Sequence, residues 1–367
     1  MEDQWSTECI VRDLGYSAFL CILSLGDNYM KKAVIFGDQK AGVVDAPDPK
    51  AKEDWAVVKV HASAMCTEYK MFAAGGGADN IGHEGAGEVV EVAQPGHVQV
   101  GDRVIVLPQY PCGKCALCRS GDYIYCENNY NFVDFMGTSD GSGTFAHYAV
   151  KPSWLLPPIP DGVSYEDATM AIDGIGASFG GFQAIGLNTF DTVLITGLGP
   201  VGLGAVVNAL FRGCRVIGVE PSTWRAEMAR KMGAEVVYDP AESNLVDKIK
   251  ELTGGRGVDC AIDCSGTPQG ERLCIDAVRR RGRVAFTGEC SKDLTIRISP
   301  DMIRKGLVMT GNWCYNVADL PAILQVIQES PLMDLLISHV LPMSKIQEAF
   351  ELLVSGECAK VVLRPWE

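Results

Sequence analysis

The stretch Gly197-Leu198-Gly199-Pro200-Val201-Gly202 leaves this chain few folds to choose from. It is a G-x-G-x-x-G set between an apolar run, Thr192–Thr196, and a helical-period run that begins at Val201. The next apolar run, Val216–Val219, ends at Glu220. Strand, glycines, helix, strand and acid therefore come in the order that a dinucleotide-binding unit requires. Each glycine has its own reason. Gly197 permits a tight turn, Gly199 lets the backbone approach a pyrophosphate, and Gly202 allows the helix to pack closely on the strand. The helix opening at Pro200 and Val201 offers unpaired N–H groups and a positive dipole end to phosphate. Glu220 is placed to accept hydrogen bonds from an adenosine ribose and to repel a 2′-phosphate, which favours NAD; Arg225 nearby leaves room for NADP.

Strands and helices continue to alternate beyond this unit. A helix is expected at Trp224–Met232, and strands at Val236–Tyr238, Cys260–Ile262, Val284–Phe286 and Val308–Thr310. This alternation predicts an α/β domain with a doubly wound parallel sheet. The earlier part reads differently. From Met30 to about Pro160, runs such as Trp55–Val60, Gly87–Val92 and Arg103–Leu107 are strand-like and punctuated by Gly and Pro. From Ser164 onward Ile172, Ile175, Phe179, Phe182 and Ile185 recur at helical spacing. Near the end, Ser344 to Gln347 has capping-box spacing before the stripe Ile346, Ala349, Phe350 and Leu353, and Lys360–Leu363 reads as a closing strand. Residues 1–29 lack periodicity and read as an N-terminal extension.

Charge and cysteine usage narrow the function classes. The chain has 367 residues, with 46 acidic side chains against 32 basic ones and a formal charge of −14. Such a balance carries no general attraction for nucleic acid or anionic lipid. The apolar run Ala18–Leu25 is too short to span a membrane, and Glu2, Asp3, Glu8 and Asp13 precede it where a secretory leader carries basic residues. A cytoplasmic location is expected. Fourteen cysteines in so long a chain do not make a disulfide scaffold.

Four of those cysteines cluster as Cys112-x2-Cys115-x2-Cys118-x7-Cys126. Four thiolates at such spacing suit tetrahedral zinc in a closed, structural site. An iron–sulfur cluster is the chemical alternative. A second group is spread along the chain: Cys66 in Ala64–Lys70, His83 in Ile81–Gly87, and Asp173 within an apolar stretch. A buried carboxylate in such company needs a cationic or metal partner. Cys, His and Asp supply three ligands to zinc and leave a fourth position open to substrate.

Several segments taken together resemble the zinc-containing medium-chain dehydrogenases/reductases, the alcohol and polyol dehydrogenase superfamily. They are Gly82-His83-Glu84-x-x-Gly87, Gly101-Asp102-Arg103-Val104, the four-cysteine lobe, the fingerprint at Gly197–Gly202 and the Cys264-Ser265-Gly266 turn. The resemblance spans about Met30 to Pro365. It implies a GroES-like β-rich catalytic domain at 30–180 and 315–367, and a Rossmann domain at 181–314. It places Cys66, His83 and Asp173 on a catalytic zinc, with Glu84 as an outer carboxylate or alternate ligand. It adds Cys264 and Thr287 to the cofactor-binding set of Gly197, Gly199, Pro200, Val201, Gly202, Glu220 and Arg225. A homodimer or homotetramer is expected. The family pattern Cys-x-Ser/Thr-Asp-x-His is one residue short here. A gap matches Thr67 to the relay hydroxyl, Glu68 to the acid and Lys70 to the outer relay. Without the gap, Glu68 and Met71 take the hydroxyl and outer positions.

The expected reaction is zinc-assisted hydride transfer between a small secondary alcohol, of polyol, sugar or cyclitol type, and NAD, with Thr67 or Glu68 passing the proton. Two zinc ions per chain are expected. Phe132, Trp154 and Trp313 are candidates for lining the pocket. Rival readings are a dehydrogenase of simple alcohols or aldehydes, a zinc-free quinone or enoyl reductase, and a non-enzymatic zinc protein built on the four-cysteine lobe.

Overall fold

The computed structural model describes residues 29–367, so the expected extension, Tyr29 apart, lies outside the described residues. Two six-stranded sheets organise the chain. The first is built from its two ends: Ile337–Pro342, Lys360–Arg364, Trp55–Ala64, Glu84–Val92 and Arg103–Val106 lie side by side, with Tyr148–Pro152 added to Trp55–Ala64. It is antiparallel except where the two C-terminal strands pair. A small sheet of Tyr29–Gly37, Lys40–Pro47 and Gly77–Ala78 adjoins it in sequence.

The second sheet is all parallel and takes its strands from one continuous stretch. Its order is Val236–Tyr238, Arg215–Val219, Thr192–Thr196, Val258–Asp263, Val278–Phe286 and Val308–Gly311. Its inner strands are apolar on both faces because helices cover both. Every residue of Thr192–Thr196 is buried. The order reverses beside Thr192–Thr196, and ligands of such sheets bind at that crevice. The fingerprint helix, Pro200–Phe211, starts there.

Two expectations need correction. The helical period from Ile172 to Ile185 does not give one α-helix. Asp173–Ala177 is a π-helical turn, followed by an α-helix at Ser178–Ala184. Gly174 and Gly176 inside it weaken α-helical preference, and such turns occur where neighbouring packing fixes them. The capping-box spacing at Ser344–Gln347 is also not used. The helix begins at Ile346, and the Gln347 side chain instead accepts from the Ala41 N–H at 2.7 Å. Among the described residues no helix is long and apolar enough to cross a membrane, and the twelve described cysteines carry no disulfide.

Candidate active site

Sheet register brings the first two candidate ligands together. Ala64 pairs with Glu84, so Cys66 and His83 sit just beyond the ends of neighbouring strands. The π-helical turn delivers Asp173 to the same point. Cys66 Sγ lies 3.2 Å from Asp173 Oδ2, and His83 Nε2 lies 3.0 Å from that same oxygen. With Glu84 included, one donor atom from each of the four residues falls within 4.8 Å of the others.

The electrostatics of this cluster favour a cation at its centre. Burial and the Asp173 charge push the Cys66 thiol up to about 12. Burial works against the charged forms of His83 and Asp173 as well. The neighbouring carboxylates overcome it and hold His83 well above its ordinary value, while His83 brings Asp173 down to about 2. A thiol held neutral beside an ionised carboxylate is the arrangement that a divalent ion relieves, since the ion allows both groups to be anionic at once. The donor set of sulfur, imidazole nitrogen and carboxylate oxygen fits zinc.

The groups around the ligands are also specific. Glu68 Oε1 lies 2.8 Å from His83 Nδ1, and Glu68 Oε2 accepts from the Cys66 N–H at 3.0 Å. Thr67 is exposed and precedes the short helix Glu68–Ala73. Lys360, from the closing strand, forms an ion pair with Glu84 and donates to the Met65 carbonyl at 3.1 Å. Both side chains are fully buried. Burial raises Glu84 to about 7, against the pull of Lys360. The other Glu84 oxygen accepts from the Asp173 N–H at 3.3 Å.

The four-cysteine lobe is compact. Cys115 Sγ lies 3.4 Å from Cys118 Sγ and 3.9 Å from Cys126 Sγ, and Cys126 Sγ lies 3.6 Å from Cys112 Sγ. Sulfurs around a tetrahedral zinc, with Zn–S near 2.3 Å, stand about 3.8 Å apart, whereas a disulfide needs about 2.05 Å. Backbone N–H groups of Cys112, Cys115 and Cys118 point at neighbouring sulfurs at 3.3–3.5 Å. The Cys118 N–H leads the effects that bring Cys115 down to about 6.

The fingerprint glycines occupy distinct environments. Gly197 has φ +77°, and a Cβ there would lie 2.5 Å from Ser265. At Gly202 a Cβ would lie 1.8 Å from the Gly197 carbonyl oxygen. Gly199 is the open one: a Cβ there would meet only the Arg225 guanidinium, at 3.7 Å. Pro200 and Val201 form the first turn of the helix. Glu220 is buried and accepts from the Leu198 N–H at 2.6 Å and the Ser222 N–H at 2.9 Å, so it also shapes the loop. Arg225 Nε donates to the Cys358 carbonyl at 3.1 Å. The Cys264 N–H donates to the Thr196 carbonyl at 2.8 Å, and the Thr287 hydroxyl is buried without a hydrogen-bond partner among the described residues.

Some expected and unexpected residues separate here. Phe132 packs among Trp55 and Tyr110, and Trp154 stands edge-on to Tyr123. Trp313 alone of the three pocket candidates is largely exposed, and its N–H donates to Tyr125 Oη at 2.9 Å. Sequence reasoning missed Lys360, Asp263 and Asn208. Asp263 is buried and its carboxylate accepts from the Thr196 and Ser265 hydroxyls and the Gly266 N–H, fixing the Cys264–Gly266 turn. The available signal was a charged or polar residue opening, closing or interrupting an apolar run.

A parallel dinucleotide sheet beside a Cys/His/Asp cluster and a closed four-thiol lobe defines a zinc-type dehydrogenase. Residues 52–161 match the alcohol dehydrogenase GroES-like domain family, and residues 200–329 match the zinc-binding dehydrogenase family. The chain is 35% identical to an L-threonine 3-dehydrogenase of Pyrococcus horikoshii over 340 residues, covering 87% of this chain and 93% of that one. It is 32% identical to a sorbitol dehydrogenase of Bacillus subtilis, covering 71% and 75%. Its fold matches the alcohol dehydrogenase TADH from Thermus sp. ATN1 with a TM-score of 0.83 at 24% identity, covering 91% of this chain and 99% of that one. The chain belongs to the zinc-containing medium-chain alcohol and polyol dehydrogenases, and it is an enzyme of that class.

Proposed function

We propose that the chain oxidises a secondary alcohol carrying a neighbouring polar group, of polyol, sugar, cyclitol or hydroxy-amino-acid type, and transfers the hydride to NAD. The convergence of Cys66, His83 and Asp173 carries this reading. The relatives' names, L-threonine 3-dehydrogenase and sorbitol dehydrogenase, support the substrate class. In this reading the four cysteines hold a structural zinc and Cys66, His83 and Asp173 hold a catalytic one, giving two ions per chain. A catalytic zinc supplies Lewis-acid polarisation of the substrate oxygen, and the nicotinamide accepts the hydride.

This chain's residues do the rest. Glu68 sets the tautomer and tilt of His83 through Nδ1, which matches it to the acidic position of the gapped pattern. The Thr67 hydroxyl then takes the proton lost by the alcohol and passes it to solvent. Glu84, held by Lys360, steadies the Asp173 backbone. The carbinol carbon gives up a hydride and its oxygen a proton, leaving a carbonyl. Gly199, Pro200, Val201 and Gly202 receive the pyrophosphate, while Glu220 and Arg225 flank the adenosine ribose, with Glu220 favouring NAD over NADP. Cys264 and Thr287 lie at the strand ends that face the coenzyme crevice.

We place the division into catalytic and coenzyme domains at residues 180 and 314, a reading supported by the second sheet's drawing its strands only from Thr192 to Gly311. We also propose a homo-oligomer. Val308–Gly311 is an edge strand, and Ile298, Ile303 and Val308 beside or on it are exposed. A cytoplasmic location, expected from the sequence, is part of this reading. The decisive experiment is an NAD-coupled screen over L-threonine, polyols, cyclitols and simple alcohols, with zinc counted on the same sample. Asp173→Asn should keep one zinc and lose turnover. Full turnover with one zinc per chain would overturn the reading.

A further inference from the structure

Asn208 is the one polar side chain in the fingerprint helix, whose sequence is otherwise Pro, Gly, Ala and apolar residues. It is fully buried. Its amide nitrogen donates to the Ile175 carbonyl at 2.9 Å and to the Ser178 hydroxyl at 2.8 Å. A carbonyl only accepts, so the amide's orientation is fixed. Its own oxygen has no hydrogen-bond partner among the described residues. Burying an amide oxygen without a partner is unfavourable. Leucine would fill the same space without that cost, so the two donated bonds are what the asparagine contributes.

Both bonds end on the segment that begins at Asp173. Ile175 belongs to the π-helical turn Asp173–Ala177, and Ser178 starts the helix that follows. One turn earlier on the same helix, a Cβ at Gly204 would lie 1.5 Å from the Gly174 carbonyl oxygen. Gly174 is the residue next to Asp173. The helix backbone therefore lies directly against the backbone of the ligand turn, and Asn208 pins the two together. A π turn has weak intrinsic stability, so its shape depends on such contacts. The turn has no side-chain cap of its own, with Ile172 ahead of it at φ −87° and ψ −87°.

The other end of this helix faces the open Gly199 and is the expected pyrophosphate site. From Pro200 to Asn208 is about 12 Å along a helix at 1.5 Å per residue. One rigid element thus touches the coenzyme at its first turn and the metal-ligand turn at its third. We propose that Asn208 is a positioning residue linking coenzyme binding on the fingerprint helix to the placement of the Asp173 carboxylate. This rests on Asp173 being a ligand of the catalytic metal. Linkage of this kind is reciprocal: NADH tightens the metal by the same factor as the metal tightens NADH.

The test uses the full chain with the catalytic position emptied by chelation and refilled with Co²⁺, whose visible spectrum reports its ligands. Co²⁺ affinity is measured with and without NADH, and NADH affinity by fluorescence with and without Co²⁺. In the wild-type chain both ratios should be at least about fivefold, the lower end of common coupling strengths. In Asn208→Leu both should fall below about twofold, while NADH still binds the metal-free chain and the four-cysteine ion stays. A wild-type ratio near one, or an unchanged ratio in Asn208→Leu, overturns the inference. Should Asn208→Leu fail to fold, Ser178→Ala removes one of the two acceptors and should lower the ratio part-way; an unchanged ratio there is equally fatal. Asp173→Asn separates the two claims. If its Co²⁺ spectrum equals the wild type, the ligand assignment fails. If it differs and Asn208→Leu keeps full coupling, only the linkage fails.

Discussion

Lys360 and Glu84 form an ion pair from which water is wholly excluded. Breaking a buried pair by removing one partner leaves an uncompensated charge and costs about 3–5 kcal/mol. Lys360→Met should therefore lower unfolding stability by roughly that amount, and adding Glu84→Gln should recover part of it. Urea unfolding of the single and double variants checks this, and a loss under about 1 kcal/mol in Lys360→Met would show the pair to be unimportant.

Glu68 should act through His83 and not as the proton carrier. Losing an outer partner of a ligating histidine typically reduces metal affinity or activity by about 10–100-fold. Glu68→Ala should lose zinc from the catalytic position faster under chelator, and Glu68→Asp should restore part of the retention. Thr67→Val should leave metal retention intact and lower kcat. Equal zinc retention in Glu68→Ala and the wild type would refute the assignment.

Much of this site was readable before any coordinates. Gly197–Gly202 and the Cys112–Cys126 spacing are local patterns whose chemistry depends on neighbours in sequence. Cys66, His83 and Asp173 are nameable chiefly through the family resemblance; strand register then joins the first two, and the π-helical turn brings the third. In sequence a single gap decides whether Glu68 stands at the acidic or the hydroxyl position, and its contact to His83 Nδ1 favours the acidic one. Lys360 and Asn208 stand out in sequence only as polar residues in apolar runs, and their roles are hidden because their partners lie elsewhere in the chain, 276 residues away for Lys360 and Glu84. The π-helical turn was also hidden, since its apolar spacing is that of an ordinary helix.

The Glu220 carboxylate should matter for coenzyme choice and for loop shape together. Glu220→Ala frees the Leu198 and Ser222 N–H groups and removes the charge that opposes a 2′-phosphate. NADH affinity should fall by about tenfold, or roughly 1.4 kcal/mol. The ratio of NADPH to NADH affinity should rise. Fluorescence titration with both coenzymes decides it, and an unchanged ratio would remove Glu220 from coenzyme selection.

Lys151 gives a pH signature of its own. It is buried, donates to the Gln109 carbonyl at 2.9 Å and lies over the Tyr110 ring. Burial lowers it from 10.5 to about 7. The unfolded chain therefore binds the extra proton between these values, so this group's contribution to stability rises with pH from about 7 to 10.5. Lys151→Met should gain most relative to the wild type at pH 6, and the difference should shrink by about pH 9. Urea unfolding at both values tests the sign, and a difference that widens with pH would contradict it.

The exposed apolar edge beside Val308–Gly311 should be an assembly surface. Ile303→Lys with Val308→Lys should reduce the particle mass in light scattering while each chain keeps its zinc. An unchanged mass would place the interface elsewhere.

The order of the chain sets when the surroundings of the candidate site can be completed. The parallel sheet draws only on Thr192 to Gly311 and can form as soon as that stretch has left the ribosome. The candidate ligands Cys66, His83 and Asp173 emerge earlier, yet Glu84 beside them lacks its buried ion-pair partner until Lys360 arrives on the closing strand. That buried pair cannot close until nearly the whole chain has been made, because its two halves stand 276 residues apart.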